Sequence, residues 1–292
     1  MGHWQRIEAE ICAATGDRFV IRSRKPVGGG CINEAWLIGD GRHQYFIKLN
    51  RASEAEMFQA EADGLRGLSA AGAIRVPRVY ATGEGDGYAW LVLEALNLGG
   101  RGNPALLGEQ LAALHHCQGK EFGWWRDNTI GRSPQHNHRE SDWVTFWREW
   151  RLRPQLAMAA QRGAGAGLLD TGERLCELLP ALFSEHKPRP SLLHGDLWGG
   201  NYAYTDTGEP VLFDPAVYYG DREADLAMTE LFGGFDKAFY AAYQQISPLD
   251  AGYPVRKRLY NLYHILNHYY LFGGGYAQQA EDMMRQLLAE LS

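Results

Sequence analysis

The sequence predicts an α+β protein with two lobes, an amino-terminal lobe built on an antiparallel sheet and a mainly helical carboxy-terminal lobe. Strand-like runs joined by tight turns occupy most of residues 1–95, and runs with helical spacing occupy most of residues 103–292. Between them, residues 96–102 are rich in glycine and lose all periodicity. We therefore predict an amino-terminal lobe at 1–95, a hinge at 96–102 and a carboxy-terminal lobe at 103–292.

Bulk composition indicates an ordinary globular protein. Of its 292 residues, 45% are hydrophobic and 22% charged, which is enough to bury a large core. A net charge of −6 argues against a nucleic-acid or anionic-membrane binder. The four cysteines form no C-x-x-C pair, and we see neither a signal-peptide pattern nor a long apolar run. We expect a reduced, cytoplasmic setting.

In the first lobe, a helix is predicted at 7–14, followed by strands at 19–23, 35–38, 45–49, 76–81 and 88–95. The triplet Gly28-Gly29-Gly30, followed by Cys31, lies between the first strands and could lay backbone N–H groups over phosphates. It is neither a Walker loop nor G-x-G-x-x-G, because Asn33 takes the place of the third glycine. An ordinary hairpin turn is the alternative.

Lys48 is the candidate phosphate ligand of this lobe. Strand alternation places Lys48 on one face with Phe46, and helical spacing places Glu61 on the apolar stripe of the next helix. An unpaired inward carboxylate is costly, so Glu61 is expected to pair with Lys48. Such a pair positions nucleotide phosphates in kinases. A surface ion pair is the alternative.

In the second lobe, helices are predicted from Pro104, around the tryptophans at 143–150, and at 171–185. His115 and His116 close the first of these, where a favourable interaction with the helix C-terminus explains them. The loop at 122–137 is rich in aromatic and amide groups. Either it lines an acceptor pocket or it covers the core.

The most informative stretch is His194-Gly195-Asp196-Leu197-Trp198-Gly199-Gly200-Asn201. Asp196 is followed five residues later by Asn201 and eighteen residues later by Asp214. This is the spacing of a phosphoryl-transfer loop, in which one carboxylate accepts the proton of the attacking hydroxyl while an Asn and a second acid hold magnesium. A glycine-rich turn with capping acids is the alternative.

The surroundings of this loop lead to further expectations. Two short strands at 202–205 and 211–213 are predicted to form a hairpin that brings Asp214 beside Asn201. Asp225 is expected to anchor the backbone of the His194 loop. Backbone groups near Glu94 and Leu96 are expected to contact adenine.

A late helix at 259–271 carries three polar side chains at helical spacing. Asn261, His264 and His268 share one of its faces. Metal binding requires more ligands than these. We expect polar residues that face the cleft and contact the acceptor.

Together these motifs resemble the fructosamine-3-kinase (ketosamine-3-kinase) family, part of the aminoglycoside-phosphotransferase and choline-kinase group of protein-kinase-like folds. The resemblance covers nearly the whole chain, and the unbroken octapeptide at 194–201 is its most specific motif. Further matches are Gly28 to Asn33, Phe46-Ile47-Lys48, Asp127-Asn128-Thr129-Ile130-Gly131, Phe213-Asp214-Pro215-Ala216 and Asn267-His268.

The resemblance implies ATP- and Mg²⁺-dependent phosphorylation of the sugar 3-hydroxyl in ketosamines, either small molecules or glycated protein amines. The 3-phosphate is unstable in this family and leaves with the sugar, which frees the amine. By position, Asp196 is the general base, and Asn201 and Asp214 bind magnesium. Lys48 with Glu61 fixes the phosphates, and the loop at 28–30 covers them.

Two residues carry additional hypotheses. Trp198 is expected to pack its ring against the sugar or its amine, and His268 to contact the same acceptor. Cys31, in a loop of backbone donors, is a candidate redox-active thiol, with a small loop residue as the alternative. A monomer or weak homodimer is expected.

Other functions stay open at this point. The chain could be a kinase for another small acceptor, such as an aminoglycoside or an amino alcohol. It could also be a catalytically silent nucleotide-binding partner protein. The intact set of site residues argues against silence, namely Lys48, Glu61, Asp196, Asn201 and Asp214.

Overall fold

The structure, a computed structural model, describes residues 2–28 and 33–291 and divides into two compact units. The first unit comprises Met1–Asn103 and Ala203–Pro215. The second comprises Pro104–Tyr202 and Ala216–Ser292. The predicted α+β class is confirmed, whereas the hinge at 96–102 and the lobe boundaries stay predictions.

The first unit is organised around a five-stranded antiparallel sheet with the order β1-β2-β3-β5-β4. Its elements are α1 (His3–Thr15), β1 (Ser23–Val27), β2 (Glu34–Gly39), β3 (Gln44–Arg51), α2 (Ala55–Ala71), β4 (Val79–Gly85) and β5 (Tyr88–Glu94). Helix α1 buries Ile7 and Ile11 against Ile47 and Trp90 of β3 and β5. The interior position of β5, between β3 and β4, agrees with its nearly continuous apolar sequence.

The strand predicted at 19–23 is wrong, because β1 begins only at Ser23. The amide of Phe19 donates to Cys12 Sγ at 3.2 Å, and the amide of Ile21 donates to Glu8 Oε1 at 2.6 Å. Side chains of α1 thus satisfy backbone groups that a neighbouring strand would otherwise take. The apolar run at this point covers the core without joining the sheet.

The predicted hairpin before Asp214 is present and belongs to the first unit from residue 203 onwards; its strands are β9 (Tyr202–Tyr204) and β10 (Pro210–Leu212). Residues 97–99 and 204–206 are joined by two backbone hydrogen bonds of 2.9 and 3.1 Å. Arg75 adds ion pairs of 2.7 Å to Glu94 and 2.6 Å to Glu209. These contacts hold the hairpin against the end of the sheet.

The second unit is mainly helical and packs around one aromatic-rich core that includes Trp143, Phe146 and Trp147. Its helices are α3 (Pro104–His115), α4 (Trp143–Trp147), α5 (Arg153–Gln161), α6 (Ala166–Leu178), α7 (Glu223–Leu231), α8 (Lys237–Ile246), α9 (Tyr253–Phe272) and α10 (Tyr276–Ala289). Its short strands pair as β6 (Asn128–Ile130) with β7 (Ser133–Gln135) and β8 (Ser191–Leu193) with β11 (Tyr218–Gly220). None of the described helices is long and apolar enough to cross a bilayer.

A charged cluster joins the segment before β8 to helices α7 and α9. His186 lies 2.8 Å from Asp221 and 3.1 Å from Asp250, while Arg256 pairs with both oxygens of Glu223 at 2.8 and 2.9 Å. Burial alone would lower the pKa of His186, but the hydrogen bond to Asp221 and the charges of Asp221 and Glu223 raise it. Protonated His186 therefore stabilises this corner of the unit.

Stability is expected to fall as the pH rises through the raised pKa of His186. The folded state holds this proton more tightly than the unfolded chain, so its stabilisation is complete below the ordinary histidine value of 6.5 and is lost above the folded-state pKa. Urea unfolding across this range measures the effect. In His186→Gln the pH dependence should flatten, whereas an unchanged slope would contradict the assignment. His43→Gln, at an exposed turn, serves as the control.

Candidate active site

In the first unit, β3, α2 and the segment after β10 bring together one lysine and two carboxylates. Lys48 Nζ lies 2.6 Å from Glu61 Oε1 and 2.6 Å from Asp214 Oδ1. The predicted pairing of Lys48 with Glu61 is confirmed. The contact between Lys48 and Asp214 was not foreseen from the sequence.

The electrostatics of this cluster suit the binding of a further cation. Burial alone would lower the pKa of Lys48, but the charges of Glu61 and Asp214 outweigh it and raise the pKa. The ammonium group therefore stays charged, and one cation faces two carboxylates. Lys48 and Glu61 are almost buried, whereas the side chain of Asp214 is 49% exposed. Asp214 also has a left-handed backbone with φ 58°, an unusual conformation outside glycine.

In the second unit, β8 delivers the loop that begins at His194. The amides of His194 and Gly195 donate to the two carboxylate oxygens of Asp225 at 2.7 and 2.8 Å. The predicted anchoring role of Asp225 is confirmed. Burial would raise the pKa of Asp225, but hydrogen bonds from His115 and from the Gly195 amide lower it, so the anchor stays ionised.

His115 supports this anchor, and its assignment to a helix end alone is wrong. The ring is 1% exposed, with Nε2 3.1 Å from Asp225 Oδ2 and Nδ1 2.8 Å from Tyr243 Oη. Its spacing of four from Leu111, and of eight from Leu107, places it on the buried stripe of α3. This periodicity in the sequence could have identified His115 as a buried residue.

On its other side the loop is held by the segment after Asp214. The amide of Ala216 donates to the carbonyl of His194 at 2.8 Å. Gly195 has φ 83°, and a side chain there would collide with the carbonyl of Ala216. Only glycine permits this close approach.

The loop then turns so that Asn201 faces Asp196. Asn201 Nδ2 donates to the backbone oxygen of Asp196 at 2.8 Å and to its Oδ2 at 3.2 Å. Because the amide nitrogen faces Asp196, the amide oxygen is the atom that can ligate a cation. Amide and carboxylate oxygens are the ligands that Mg²⁺ prefers, so the chemistry of Asn201 and Asp214 fits this metal.

Trp198 and His268, both predicted to contact substrate, belong to one partly exposed surface, the aromatic strip. The ring of His268 lies 5.0 to 5.5 Å from three other rings, and Trp198 lies 6.5 Å from one of them. Gly200 lacks the Cβ that would collide with the indole of Trp198. The strip consists of Trp198, Phe232, His268, Phe272 and Tyr276. Its last two aromatic members and Phe232 were missed, because isolated rings at helix ends leave no periodic signal.

The other two polar residues of α9 do not face a cleft, and that expectation is wrong. Asn261 and His264 are 6% and 5% exposed and lie within the second unit. Burial, followed by the nearby charge of His268, lowers the pKa of His264 to about 3. The ring of His264 is therefore neutral and belongs to the core. The backbone carbonyl oxygen of His264 lies 2.8 Å from Nδ1 of His268, within hydrogen-bond distance.

The nucleotide contacts predicted at 28–30, Glu94 and Leu96 stay predictions. Gly29, Gly30 and Cys31 lie outside the described residues, and Gly28 is the last described residue before them. The amide of Glu94 donates to the carbonyl of Arg78 at 2.8 Å, so this amide already has a partner within the first unit. Leu96 follows two residues after the end of β5. An adenine contact here would have to use other backbone groups.

Comparison with known sequences identifies one family over nearly the whole chain. The family model described as fructosamine kinase matches residues 3–290. A probable ketoamine kinase of Synechocystis is 51% identical over 289 residues, which cover 98% of this chain and 97% of that protein. The chloroplastic protein-ribulosamine 3-kinase of Arabidopsis thaliana is 43% identical over 271 residues, which cover 90% of this chain and 83% of that protein.

Solved structures agree with this family assignment and with the predicted fold. A crystal structure from Haemophilus somnus, with a provisional fructosamine-3-kinase assignment, superposes with a TM-score of 0.89 at 34% identity and covers 98% of this chain and 97% of that chain. A thermostable aminoglycoside phosphotransferase superposes with a TM-score of 0.62 at 17% identity over 97% of this chain and 98% of that chain. At that identity the likeness concerns the fold alone. It confirms the predicted protein-kinase-like fold.

Proposed function

Because the chain belongs to the fructosamine kinase family, we infer that it transfers the terminal phosphate of ATP to the 3-hydroxyl of ketosamines. Ketosamines are the rearranged adducts of sugars with protein or free amines, and both kinds are included in the proposal. The observation that carries it is the His194 loop, in which the candidate base Asp196 and its partner Asn201 flank Trp198 of the aromatic strip. A candidate base for a hydroxyl group and an aromatic binding surface are thus adjacent in the sequence.

Each site residue has a distinct part in the proposed reaction. Asp196 accepts the proton of the attacking hydroxyl as the bond to phosphorus forms. Lys48, oriented by Glu61, binds the phosphates of ATP. Asn201 and Asp214 supply the oxygens that would hold Mg²⁺, which contributes charge neutralisation at the phosphates.

The chemistry of the product explains how the reaction would remove the sugar from the amine. A phosphate on the third carbon lies next to the carbonyl of the ketosamine and is a good leaving group. Loss of a proton from the first carbon lets the bond between the third carbon and the phosphate oxygen break, and hydrolysis of the resulting imine at the first carbon releases the original amine. The proposal therefore places the protein in deglycation. It also includes a cytoplasmic setting and a monomer or weak homodimer.

A panel of acceptors tests the proposed function. ADP formation is measured with ATP, Mg²⁺ and one acceptor at a time: a fructosamine, a ribulosamine, an aminoglycoside and an amino alcohol. Turnover with at least one ketosamine, and none with the other two classes, is the expected result. Turnover restricted to the aminoglycoside or the amino alcohol would identify a different kinase, and ATP binding without any turnover would identify a silent protein.

Trp198→Ala is expected to raise KM for the ketosamine about tenfold, with a smaller effect on kcat. Loss of an exposed ring contact to a sugar or cation costs about 1.4 kcal/mol, which corresponds to that factor. Trp125→Ala is the matched control, because Trp125 is also an exposed tryptophan of the second unit, 56% exposed against 40% for Trp198. If Trp198→Ala left KM unchanged, or if both variants raised it equally, the assignment of Trp198 would be wrong.

A further inference from the structure

A buried polar network beneath the β6–β7 hairpin has no part in the scheme above. Arg151 is completely buried, and its guanidinium donates to two backbone carbonyls at 2.5 and 2.8 Å and to Asn137 Oδ1 at 2.7 Å. The rings of Tyr218 and Phe146 lie 4.1 and 4.6 Å from its central carbon. A buried cation held by neutral oxygens and ring faces is costly to build. These contacts order the groups that Arg151 binds, namely the carbonyls of His136 and Trp150 and the side chain of Asn137.

The network continues from Asn137 to Asn128, the second residue of the Asp127-Asn128-Thr129-Ile130-Gly131 motif. Asn128 Oδ1 accepts from Asn137 Nδ2 at 2.9 Å and from Gln135 Nε2 at 2.8 Å. These two donors fix which end of the amide is oxygen. Asn128 Nδ2 therefore points to the carbonyl of Val217, which it binds at 2.8 Å.

A second amide acts on the neighbouring residue in the same way. Gln135 Oε1 accepts from the hydroxyl of Tyr263 at 2.7 Å, which orients its nitrogen towards the carbonyl of Ala216 at 3.1 Å. Gln135 is buried, and Asn128 is partly buried. Two oriented side-chain amides thus hold the carbonyls of two consecutive residues.

These two residues adjoin the loop that carries Asp196. Ala216 donates its amide to His194, at the start of the loop that carries Asp196. The carbonyl and the amide of Ala216 are therefore both engaged, the carbonyl by Gln135 and the amide by the His194 loop.

We propose that Asn128 and Gln135 are positioning residues for phosphoryl transfer, which set residues 216–217 and thereby place the loop that carries Asp196 and Asn201. This inference rests on the proposed function for its chemical readout. It also explains the buried Arg151, which fixes the far end of the same network. A misplacement of about 1 Å at such a site lowers the rate about 100-fold.

Asn128→Asp and Gln135→Glu test the two links separately. Each exchange keeps the accepting oxygen and the size of the side chain, but removes the nitrogen that donates to Val217 or to Ala216. Asn267→Asp is the matched control, since buried Asn267 donates to the carbonyl of Ile130 at 3.3 Å in the same hairpin. Steady-state kinetics, thermal unfolding and calorimetric titration of Mn²⁺ in the presence of ADP are measured for all proteins.

Either test variant is expected to lower kcat about 10- to 100-fold, to leave KM for the ketosamine within about twofold, and to weaken Mn²⁺ binding severalfold. Asn267→Asp should lose comparable thermal stability while kcat and Mn²⁺ affinity stay within about twofold. Equal losses of kcat in control and test variants, or unchanged kcat and Mn²⁺ affinity in folded test variants, would overturn the proposal. If one test variant fails to fold, the other decides.

The metal titration separates this proposal from the proposed function. If the unaltered protein phosphorylates no ketosamine, the function assignment fails, while Mn²⁺ binding in the presence of ADP still reports the position of Asn201. If the unaltered protein is active and the test variants match it in kcat and Mn²⁺ affinity, only the positioning role fails.

Discussion

Asp196→Asn is expected to lower kcat by about 10²- to 10⁴-fold, the usual contribution of a positioned general base. An amide cannot accept the proton of the attacking hydroxyl, so the nucleophile loses its activation. The exchange preserves the size of the side chain, and the backbone oxygen of Asp196 still accepts from Asn201 at 2.8 Å. Nucleotide binding should therefore be largely retained. Steady-state turnover and calorimetric ATP binding measure the two effects.

The control for this variant is an acid-to-amide exchange at an exposed helical position. Asp282 lies on α10 and accepts from Gln278 at 2.9 Å. Asp282→Asn should keep both kcat and ATP affinity. Unaltered turnover in Asp196→Asn would remove Asp196 as the base, and a parallel loss of ATP binding would point to a collapsed loop.

Lys48→Met is expected to have the second largest effect, on both stability and activity. Removing the ammonium leaves Glu61 and Asp214 facing each other, and the loss of one partner from a buried pair costs about 3–5 kcal/mol. The exposure of Asp214 places the cost towards the lower end of that range. The lost charged contact to the phosphates should lower kcat/KM for ATP about 10- to 100-fold. Urea unfolding and steady-state kinetics provide the measurements.

A double variant separates these two effects of Lys48. In Lys48→Met combined with Glu61→Gln, the buried unpaired charge is gone, so much of the stability should return while the ATP defect persists. Mildly acidic pH should also partly restore the stability of Lys48→Met, because burial already raises the pKa of Glu61. A stable single variant would contradict the stabilising role of Lys48, and a double variant that recovers ATP turnover would contradict its role in phosphate binding.

The sequence alone predicts those parts of the site that depend on spacing along the chain. Asp196 and Asn201 lie five residues apart in one loop, and the contact between them follows from that distance and from the turn glycines. The pair of Lys48 and Glu61 follows from combining the alternation of a strand with the stripe of the next helix.

Periodicity along the sequence could not predict contacts between distant segments. Lys48 and Asp214 are separated by 166 positions, and their contact depends on how the hairpin at 203–215 packs on the sheet. The same holds for His115, whose partner Asp225 is 110 positions away. The misplaced first strand has a similar cause, because side chains of α1 replace a strand partner.

The most direct test of the central claim locates the transferred phosphate. The protein is incubated with ATP, Mg²⁺ and a free ketosamine, and the early product is analysed by phosphorus–proton correlation NMR. We predict a phosphate coupled to the proton on the third carbon of the sugar, followed by release of the free amine. A phosphate on another hydroxyl, or ATP consumption that does not depend on the ketosamine, would contradict the assignment.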